Sequence, residues 1–267
     1  MKKSIIKKIL LVIGLVLLLA AGAAFYWLND GYEPMEEALG IWEASGGDTN
    51  QEPDLDGVEA VIKDQWIHFQ PGINLSPDQE TSIGFIYYPG GRVDYRSYSP
   101  LLLELAQEGM DGFLVEMPLN LAVLGRNRGA AIIENHPEID TWIIGGHSLG
   151  GAMAANFVYN HPQAVKGLVF FAAYPAGSND LSDFENLSVL SIYGNRDGLV
   201  SEEDIDNSRE YVPGNTQWLE IEGGNHSQFG WYGFQKGDSE AEISREEQQR
   251  QILEGILQWL KAMENLR

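Results

Sequence analysis

The chain has 267 residues, of which 44% are hydrophobic, and it carries a formal charge of −22. This length and composition allow one domain with a substantial buried core. The absence of cysteine excludes disulfides, thiolate metal sites, a cysteine nucleophile and a cysteine-linked lipid anchor. The acidic excess disfavours nucleic acid and anionic head groups as partners. We therefore expect no nucleic-acid partner, no bound metal and no cofactor.

The N-terminus combines four lysines within its first eight residues with an uncharged apolar run over residues 9–28. Twenty apolar residues are enough to cross a bilayer as one helix. Lysines before such a segment keep that end in the cytoplasm. We predict that residues 1–28 form a single-pass membrane anchor, with the rest of the chain extracytoplasmic. The alternative is a signal peptide that is cleaved near Ala23 and releases a secreted protein.

The stretch after the apolar run, residues 29–57, is acidic, contains several glycines and has little periodicity. Within it, "EPMEEALGIWEA" allows a short helix. All 39 acidic residues and 13 of the 17 basic ones follow Leu28, so the exported part carries a formal charge of −26. We interpret residues 29–57 as a tether between the anchor and a folded domain at residues 58–267.

From residue 58 onwards, strand-like and helix-like segments alternate. "VEAVIKD" and "WIHFQP" predict an initial antiparallel pair of strands. Further strands are predicted at "SIGFIYYPGG", "GFLVEMP", residues 142–144, "GLVFFAAYP", "LSVLSIYGNRD" and "TQWLEIEGGNH". Helices are predicted at residues 100–107, at residues 128–135, after the strand at residues 142–144 and at "REEQQRQILEGILQWLKAM". This alternation predicts an α/β fold with a mostly parallel sheet that is covered by helices on both faces.

One strand–helix junction carries a motif for nucleophilic catalysis. The apolar run at residues 142–144 predicts a buried strand, and the apolar residues after Gly151 have helical spacing. Between them, "GHSLG" fits G-x-S-x-G, in which small flanking residues permit a sharp turn that exposes the serine hydroxyl. The alternative is an ordinary turn with a serine helix cap. We predict that Ser148 is a nucleophile.

Residues suited to assist a nucleophile follow two later strands. Asp197 comes after "LSVLSIYG", and His226 comes after "TQWLEIEGGN". Because chemistry in open parallel sheets gathers beyond the carboxyl ends of the strands, we expect both to lie near Ser148. The chain order Ser, Asp, His is typical of a triad on such a sheet. In that triad His226 takes the proton of Ser148, and Asp197 orients the imidazole.

An oxyanion hole needs two backbone N–H groups close to the nucleophile. The first candidate is the N–H of Leu149, which directly follows Ser148. The second comes from the "PGG" turn after the strand "SIGFIYY", where Gly90, Gly91 and Arg92 are the candidates. Glycines at this turn let the backbone approach a substrate without an intervening side chain.

Three segments resemble one known family. "YYPGGRVDYRSYSPLLLELAQEG", "MPLNLAVLG" and "GGHSLGGAMAANF" are similar to the α/β-hydrolase superfamily, and more narrowly to its fold-5 group of dienelactone hydrolases and bacterial carboxylesterases. The resemblance covers about 200 residues, from residue 58 to the C-terminus. It implies an eight-stranded sheet and assigns the nucleophile, acid, base and two oxyanion donors to Ser148, Asp197, His226, Gly91 and Leu149.

The predicted site has no large cap. Only "AGSNDLSDFENL" separates two of the predicted strands, which is too short for a helical lid and predicts an open site. We expect a membrane-anchored extracytoplasmic serine hydrolase, a carboxylesterase that cleaves short-chain or small esters through an acyl-enzyme. One alternative is an acyltransferase with the same triad. The other is a non-catalytic binding protein on the same fold.

Overall fold

The computed structural model describes residues 13–14, 16, 18–19, 22, 30–44, 55–72 and 82–264. The chain divides into two compact units, Met1–Gly31 and Tyr32–Arg267. The predicted anchor at residues 9–28 falls in the first unit, and most of it lies outside the described residues. Among the residues that are described, none forms a helix of the length and apolar character that crossing a membrane requires.

The second unit is built from strands that alternate with helices. Its strands are β1 (Val58–Ile62), β2 (Trp66–Pro71), β3 (Ile83–Tyr88), β4 (Asp111–Val115), β5 (Thr141–His147), β6 (Gly167–Phe171), β7 (Ser188–Gly194) and β8 (Gln217–Ile221). Its α-helices are α1 (Glu36–Ala44), α2 (Ser99–Gln107), α3 (Arg128–Asn135), α4 (Leu149–Asn160), α5 (Glu202–Ser208) and α6 (Arg245–Glu264). Short 3₁₀ turns lie at Tyr95–Tyr98, Pro118–Asn120, Ala122–Leu124, Arg209–Tyr211 and Ser227–Phe229.

The eight strands form one sheet in the order β1-β2-β4-β3-β5-β6-β7-β8. Strand β2 runs antiparallel to both β1 and β4, and all other neighbours are parallel. The predicted antiparallel pair and the mostly parallel eight-stranded sheet are confirmed. Every residue of β3, β5 and β6 is buried, as expected for central strands with helices on both faces.

The core consists of two apolar clusters, one on each face of the sheet. Successive strand residues point to opposite faces, so Phe85 and Ile143 belong to the first cluster while Ile86 and Ile144 belong to the second. Helices α2 and α6 cover the first cluster, and α3 and α4 cover the second. Trp259 of α6 is the largest side chain that is fully buried there.

Part of the predicted tether belongs to the folded unit. Helix α1 has apolar residues at Ala38, Ile41 and Trp42, a spacing that places them on one helix face. Ala38 is buried, while Ile41, Trp42 and also Tyr32 pack partly buried against the first core cluster. Residues 32–44 therefore fold with the sheet, which extends the folded unit ahead of residue 58. Residues 45–54 of the predicted tether lie outside the described residues.

Candidate active site

All of the predicted site residues lie at the edge of the sheet that is formed by the carboxyl ends of its parallel strands. Strands β3, β5, β7 and β8 are parallel, so their carboxyl ends meet at that edge. The residues that follow these ends are Gly91 after β3, Ser148 and Leu149 after β5, Asp197 after β7, and His226 after β8. The sheet topology alone therefore brings together residues that are more than 130 positions apart in the sequence.

Ser148 forms the sharp turn between β5 and α4. Its backbone has φ 52° and ψ −120°, a left-handed conformation that costs a serine about 1–3 kcal/mol. The neighbouring positions Gly146 and Gly150 leave no space for a side chain. A Cβ on Gly150 would lie 2.2 Å from the carbonyl oxygen of Tyr88, and one on Gly146 would lie 2.6 Å from the carbonyl carbon of Gly150. The side chain of Ser148 makes no capping hydrogen bond, so the alternative of a serine helix cap does not hold.

Asp197 and His226 form a buried hydrogen-bonded pair. The Nδ1 atom of His226 lies 2.7 Å from Oδ2 of Asp197, and both side chains are fully buried. The other oxygen of Asp197 accepts the backbone N–H groups of Leu199 and Val200, both at 2.7 Å. These contacts fix the carboxylate and place the ring proton on Nδ1. The Nε2 atom of His226 is then free to accept a proton.

His147 directly precedes Ser148 and packs against His226 of the buried pair. Its ring centroid is 4.4 Å from that of His226. The hydroxyl of Tyr98 accepts the N–H of Gly90 at 3.1 Å and is hydrogen-bonded to Nδ1 of His147, which lies 2.9 Å away. Burial, and secondly the neighbouring His226, lower the pKa of His147 well below its usual value of 6.5. His147 is therefore a neutral side chain that packs the site.

Ser148 and His226 are not hydrogen-bonded to each other. Nε2 of His226 is buried and has no hydrogen-bond partner among the described residues. His147, the residue before Ser148, packs its ring on that of His226. Catalytic hydrogen bonds are often long in a site without substrate and shorten when substrate binds.

The backbone N–H groups near Ser148 differ in their partners. The N–H of Gly90 is bonded to Tyr98, and the N–H of Arg92 donates to the carbonyl of Asn120 at 2.7 Å. The N–H groups of Gly91 and Leu149 have no acceptor within the part of the chain that the structure describes. The two residues are adjacent in space, since a Cβ on Gly91 would lie 3.2 Å from Cδ2 of Leu149.

Strained backbone collects at this edge of the sheet. Besides Ser148, left-handed φ values occur at Arg92 (63°) after β3, at Leu119 (56°) and Asn120 (54°) after β4, and at Ala172 (45°) after β6. Such conformations persist where the surrounding structure holds them, and they are frequent at functional sites. The backbone strain therefore indicates a functional site at the same carboxyl end of the strands, on evidence that does not depend on the side chains.

Asp238 is a residue of the site that sequence reasoning missed. Its Oδ1 accepts the N–H of Gly198, next to Asp197, at 3.0 Å and the N–H of His226 at 3.3 Å. Its Oδ2 accepts the N–H and the hydroxyl of Ser227 at 2.7 and 2.6 Å. One carboxylate thus joins the loop of Asp197 to the loop of His226. The motif "QKGDSE" carries no signal that distinguishes this aspartate from other surface acids.

Helix α6 also holds the loop of His226. The amide of Gln248 accepts the N–H of Asn225 at 3.0 Å and donates to its carbonyl at 2.8 Å. The guanidinium of Arg245 donates to three backbone carbonyls of that loop, those of Ser227, Gly230 and Tyr232. Desolvation by burial lowers the pKa of Arg245. The loop of His226 is therefore held by its backbone, in addition to the bond between the His226 ring and Asp197.

The segment between β6 and β7 forms no helical lid, as the sequence predicted. Residues 172–187, between β6 and β7, contain no helix or strand. Cavities of about 1060 Å³, near Lys166 and Phe184, and about 620 Å³, near Trp66 and His136, are lined by no residue of the predicted triad. Within the described ranges, no cluster of His, Asp or Glu side chains has the arrangement of a metal site.

Comparisons with known proteins agree with this fold. The model of a family described as "Alpha/beta hydrolase family" matches residues 84–250. A comparison with curated proteins gives no match.

Three solved structures are similar to this chain. A dienelactone hydrolase-like promiscuous phosphotriesterase from metagenomic libraries has 18% identity and a TM-score of 0.52 over 71% of this chain and 90% of that one. Est1E from Butyrivibrio proteoclasticus has 12% identity and a TM-score of 0.52 over 77% and 99%. A thermophilic esterase from the Planctomycetes species Thermogutta terrifontis has 15% identity and a TM-score of 0.50 over 79% and 95%.

Proposed function

Because the chain belongs to the alpha/beta hydrolase family, we propose that it is a serine hydrolase that cleaves carboxylic esters. Membership of the family confirms the resemblance seen in the sequence motifs. One of the similar structures is that of an esterase, and another is dienelactone hydrolase-like, which favours ester bonds as the substrate class. The single observation that carries the proposal is the buried Asp197–His226 pair beside the strained turn at Ser148.

The proposed reaction uses three side chains in two half-reactions. Nε2 of His226 takes the proton of the Ser148 hydroxyl as Oγ attacks the ester carbonyl carbon. Asp197 holds Nδ1 and stabilises the imidazolium that forms. The tetrahedral intermediate collapses, the alcohol leaves with the proton from Nε2, and the acyl group stays on Oγ. Water then attacks the acyl-enzyme with His226 as base, which releases the acid and restores Ser148.

The proposed oxyanion hole consists of the N–H groups of Gly91 and Leu149. Both lack an acceptor among the described residues, and Leu149 is the first residue of α4, where helix N–H groups point outward. Gly90 and Arg92 are less suitable because their N–H groups are already bonded. Such donors stabilise the negative charge only as it develops, and the loss of one typically lowers kcat by about 10²–10³-fold.

The test of this proposal is covalent labelling with a fluorophosphonate, followed by peptide mapping. We expect the label on Ser148 alone, and we expect Ser148→Ala to abolish both labelling and ester turnover. Ser178→Ala, at an exposed serine in the loop after β6, is the matched control and should label like the wild type. Full turnover by Ser148→Ala would refute the assignment of the nucleophile.

We further propose that residues 1–28 anchor the enzyme in a membrane with the hydrolase domain outside the cytoplasm. The support is the uncharged run at residues 9–28 behind four lysines. The protein should then sediment with membranes, and protease added to intact cells should degrade the domain. A shortened soluble form that begins near Ala24 would instead identify the segment as a cleaved signal peptide.

A further inference from the structure

Residues 32–35, which we call the strap, join two loops of the proposed active site. At its first residue, Tyr32, the strap is bonded to residues 90–94, the loop after β3 that carries Gly91 and that we call the oxyanion loop. The N–H of Tyr32 donates to the carbonyl of Arg92 at 2.8 Å, and the carbonyl of Tyr32 accepts the N–H of Asp94 at 3.0 Å. These two bonds hold the residues immediately after Gly91, the proposed oxyanion donor.

The other end of the strap holds the loop that carries the base. The N–H of Met35 donates to the carbonyl of Trp231 at 2.8 Å. Pro34 forms an antiparallel bridge with Tyr232. Four residues of backbone therefore span from the oxyanion loop to the loop of His226.

The side chain of Tyr32 reinforces the same link. Its hydroxyl accepts the N–H of Lys236 at 3.1 Å, and its ring centroid lies 5.8 Å from that of Tyr232. Tyr232 is fully buried, and its hydroxyl lies 3.5 Å from the carbonyl of His226. Tyr32 thus contacts the loop of the base by its side chain and the oxyanion loop by its backbone.

The two loops do not follow neighbouring strands of the sheet. They follow β3 and β8, which are separated in the sheet by β5, β6 and β7. Contacts that bridge the loops include the strap, a bond from the N–H of Trp231 to the carbonyl of Ser97 at 2.7 Å, and the rings of Tyr98 and Tyr232, whose centroids lie 6.3 Å apart. A shift of about 1 Å between catalytic groups is enough to lower a rate about 100-fold.

We infer that the strap positions the oxyanion donor Gly91 relative to the base His226, and that Tyr32 is its principal positioning residue. The inference rests on the proposed serine hydrolase mechanism. It also gives a role in catalysis to a segment upstream of the first strand, ahead of every motif that indicates the activity. Loss of the strap contacts should weaken transition-state stabilisation more than substrate binding, because no strap atom is required to contact the substrate.

The experiment compares Tyr32→Ala, Tyr32→Phe and Ile41→Ala in the full chain, purified in detergent. We expect Tyr32→Ala to lower kcat about tenfold to 100-fold with KM changed by less than about twofold, and to slow fluorophosphonate labelling equally. Tyr32→Phe keeps the ring but loses the acceptor for Lys236, so its effect should be smaller. Amide hydrogen exchange should become faster in Tyr32→Ala at residues 90–94 and at residues 231–236.

Ile41→Ala is the matched control. Ile41 and Tyr32 are both partly buried against the first core cluster, but Ile41 lies in α1, outside the strap. This variant should lower the Tm while its labelling rate stays that of the wild type. Unchanged kcat and unchanged exchange in Tyr32→Ala would overturn the inference, as would an equal slowing in Ile41→Ala at the same loss of Tm. A wild type that never labels would overturn the proposed function, whereas the exchange measurement would still decide whether the strap holds the loops.

Discussion

Asp238 provides a sharp test of how the acid and base loops are held together. The substitution Asp238→Asn keeps one carbonyl oxygen, which can still accept the N–H groups that bond to Oδ1. It replaces Oδ2 by an NH₂ group, which cannot accept from Ser227. The bond from the N–H of Ser227 at 2.7 Å is therefore lost, and the hydroxyl of Ser227, which donates at 2.6 Å, loses its charged acceptor.

The expected magnitude follows from these two bonds. A hydrogen bond to a charged group contributes about 1.5–3 kcal/mol, and the partial exposure of Asp238 favours the lower value. We expect the free energy of unfolding to fall by about 3 kcal/mol, which for a domain of this size lowers the Tm by roughly 6–12 °C. Because Ser227 directly follows His226, we also expect kcat to fall about tenfold to 100-fold through displacement of the base.

The assay measures kcat and KM with a chromogenic ester at a temperature below the unfolding temperature of the variant. The Tm is measured by calorimetry. Asp206→Asn is the matched control, since it removes the same charge from the exposed face of α5, where Asp206 pairs with Arg209. Its unfolding free energy should change by less than about 0.5 kcal/mol, with kcat unaltered. Wild-type kcat and Tm in Asp238→Asn would refute the idea that this carboxylate holds the two loops.

Three further outcomes are expected. His226→Ala should lose most ester turnover, and Asp197→Asn should lose as much or somewhat less, because an amide facing Nδ1 favours the tautomer that cannot accept a proton at Nε2; full kcat/KM in either variant would contradict the triad. In a series of esters with a common chromogenic alcohol, acetate and butyrate should give higher kcat/KM than chains of twelve or more carbons, because an open site soon stops gaining the roughly 0.8 kcal/mol per buried methylene; a rise that continues to sixteen carbons would contradict the open site. Burial lowers the pKa of His147, so below about pH 6.5 the unfolded chain takes up a proton that the folded chain does not, and the free energy of unfolding should fall by up to about 1.4 kcal/mol per pH unit as the pH drops from 6.5 to 5. In His147→Gln this part of the pH dependence should disappear, and an equal slope in both proteins would refute it.

The sequence determined the elements and the kinds of residue at their ends. The apolar runs and their periodicities predicted the strands and most of the helices, because burial on two faces of a sheet or on one face of a helix leaves a local pattern. The glycines around Ser148 predicted the turn, because a sharp strand–helix junction leaves no space for side chains. The order of Asp197 and His226 along the chain then indicated which strand ends would meet.

Only the tertiary structure decided how these groups are held. It distinguished Gly91 from Gly90 and Arg92, whose N–H groups are bonded to Tyr98 and Asn120. The spacing of the glycine turn does not indicate these partners. It placed Asp238 between two loops, and it placed the strap across two others. The physical reason is the same in each case. A hydrogen bond between segments far apart in sequence imposes no periodicity and requires no particular side chain when the backbone makes it, so no local pattern announces it.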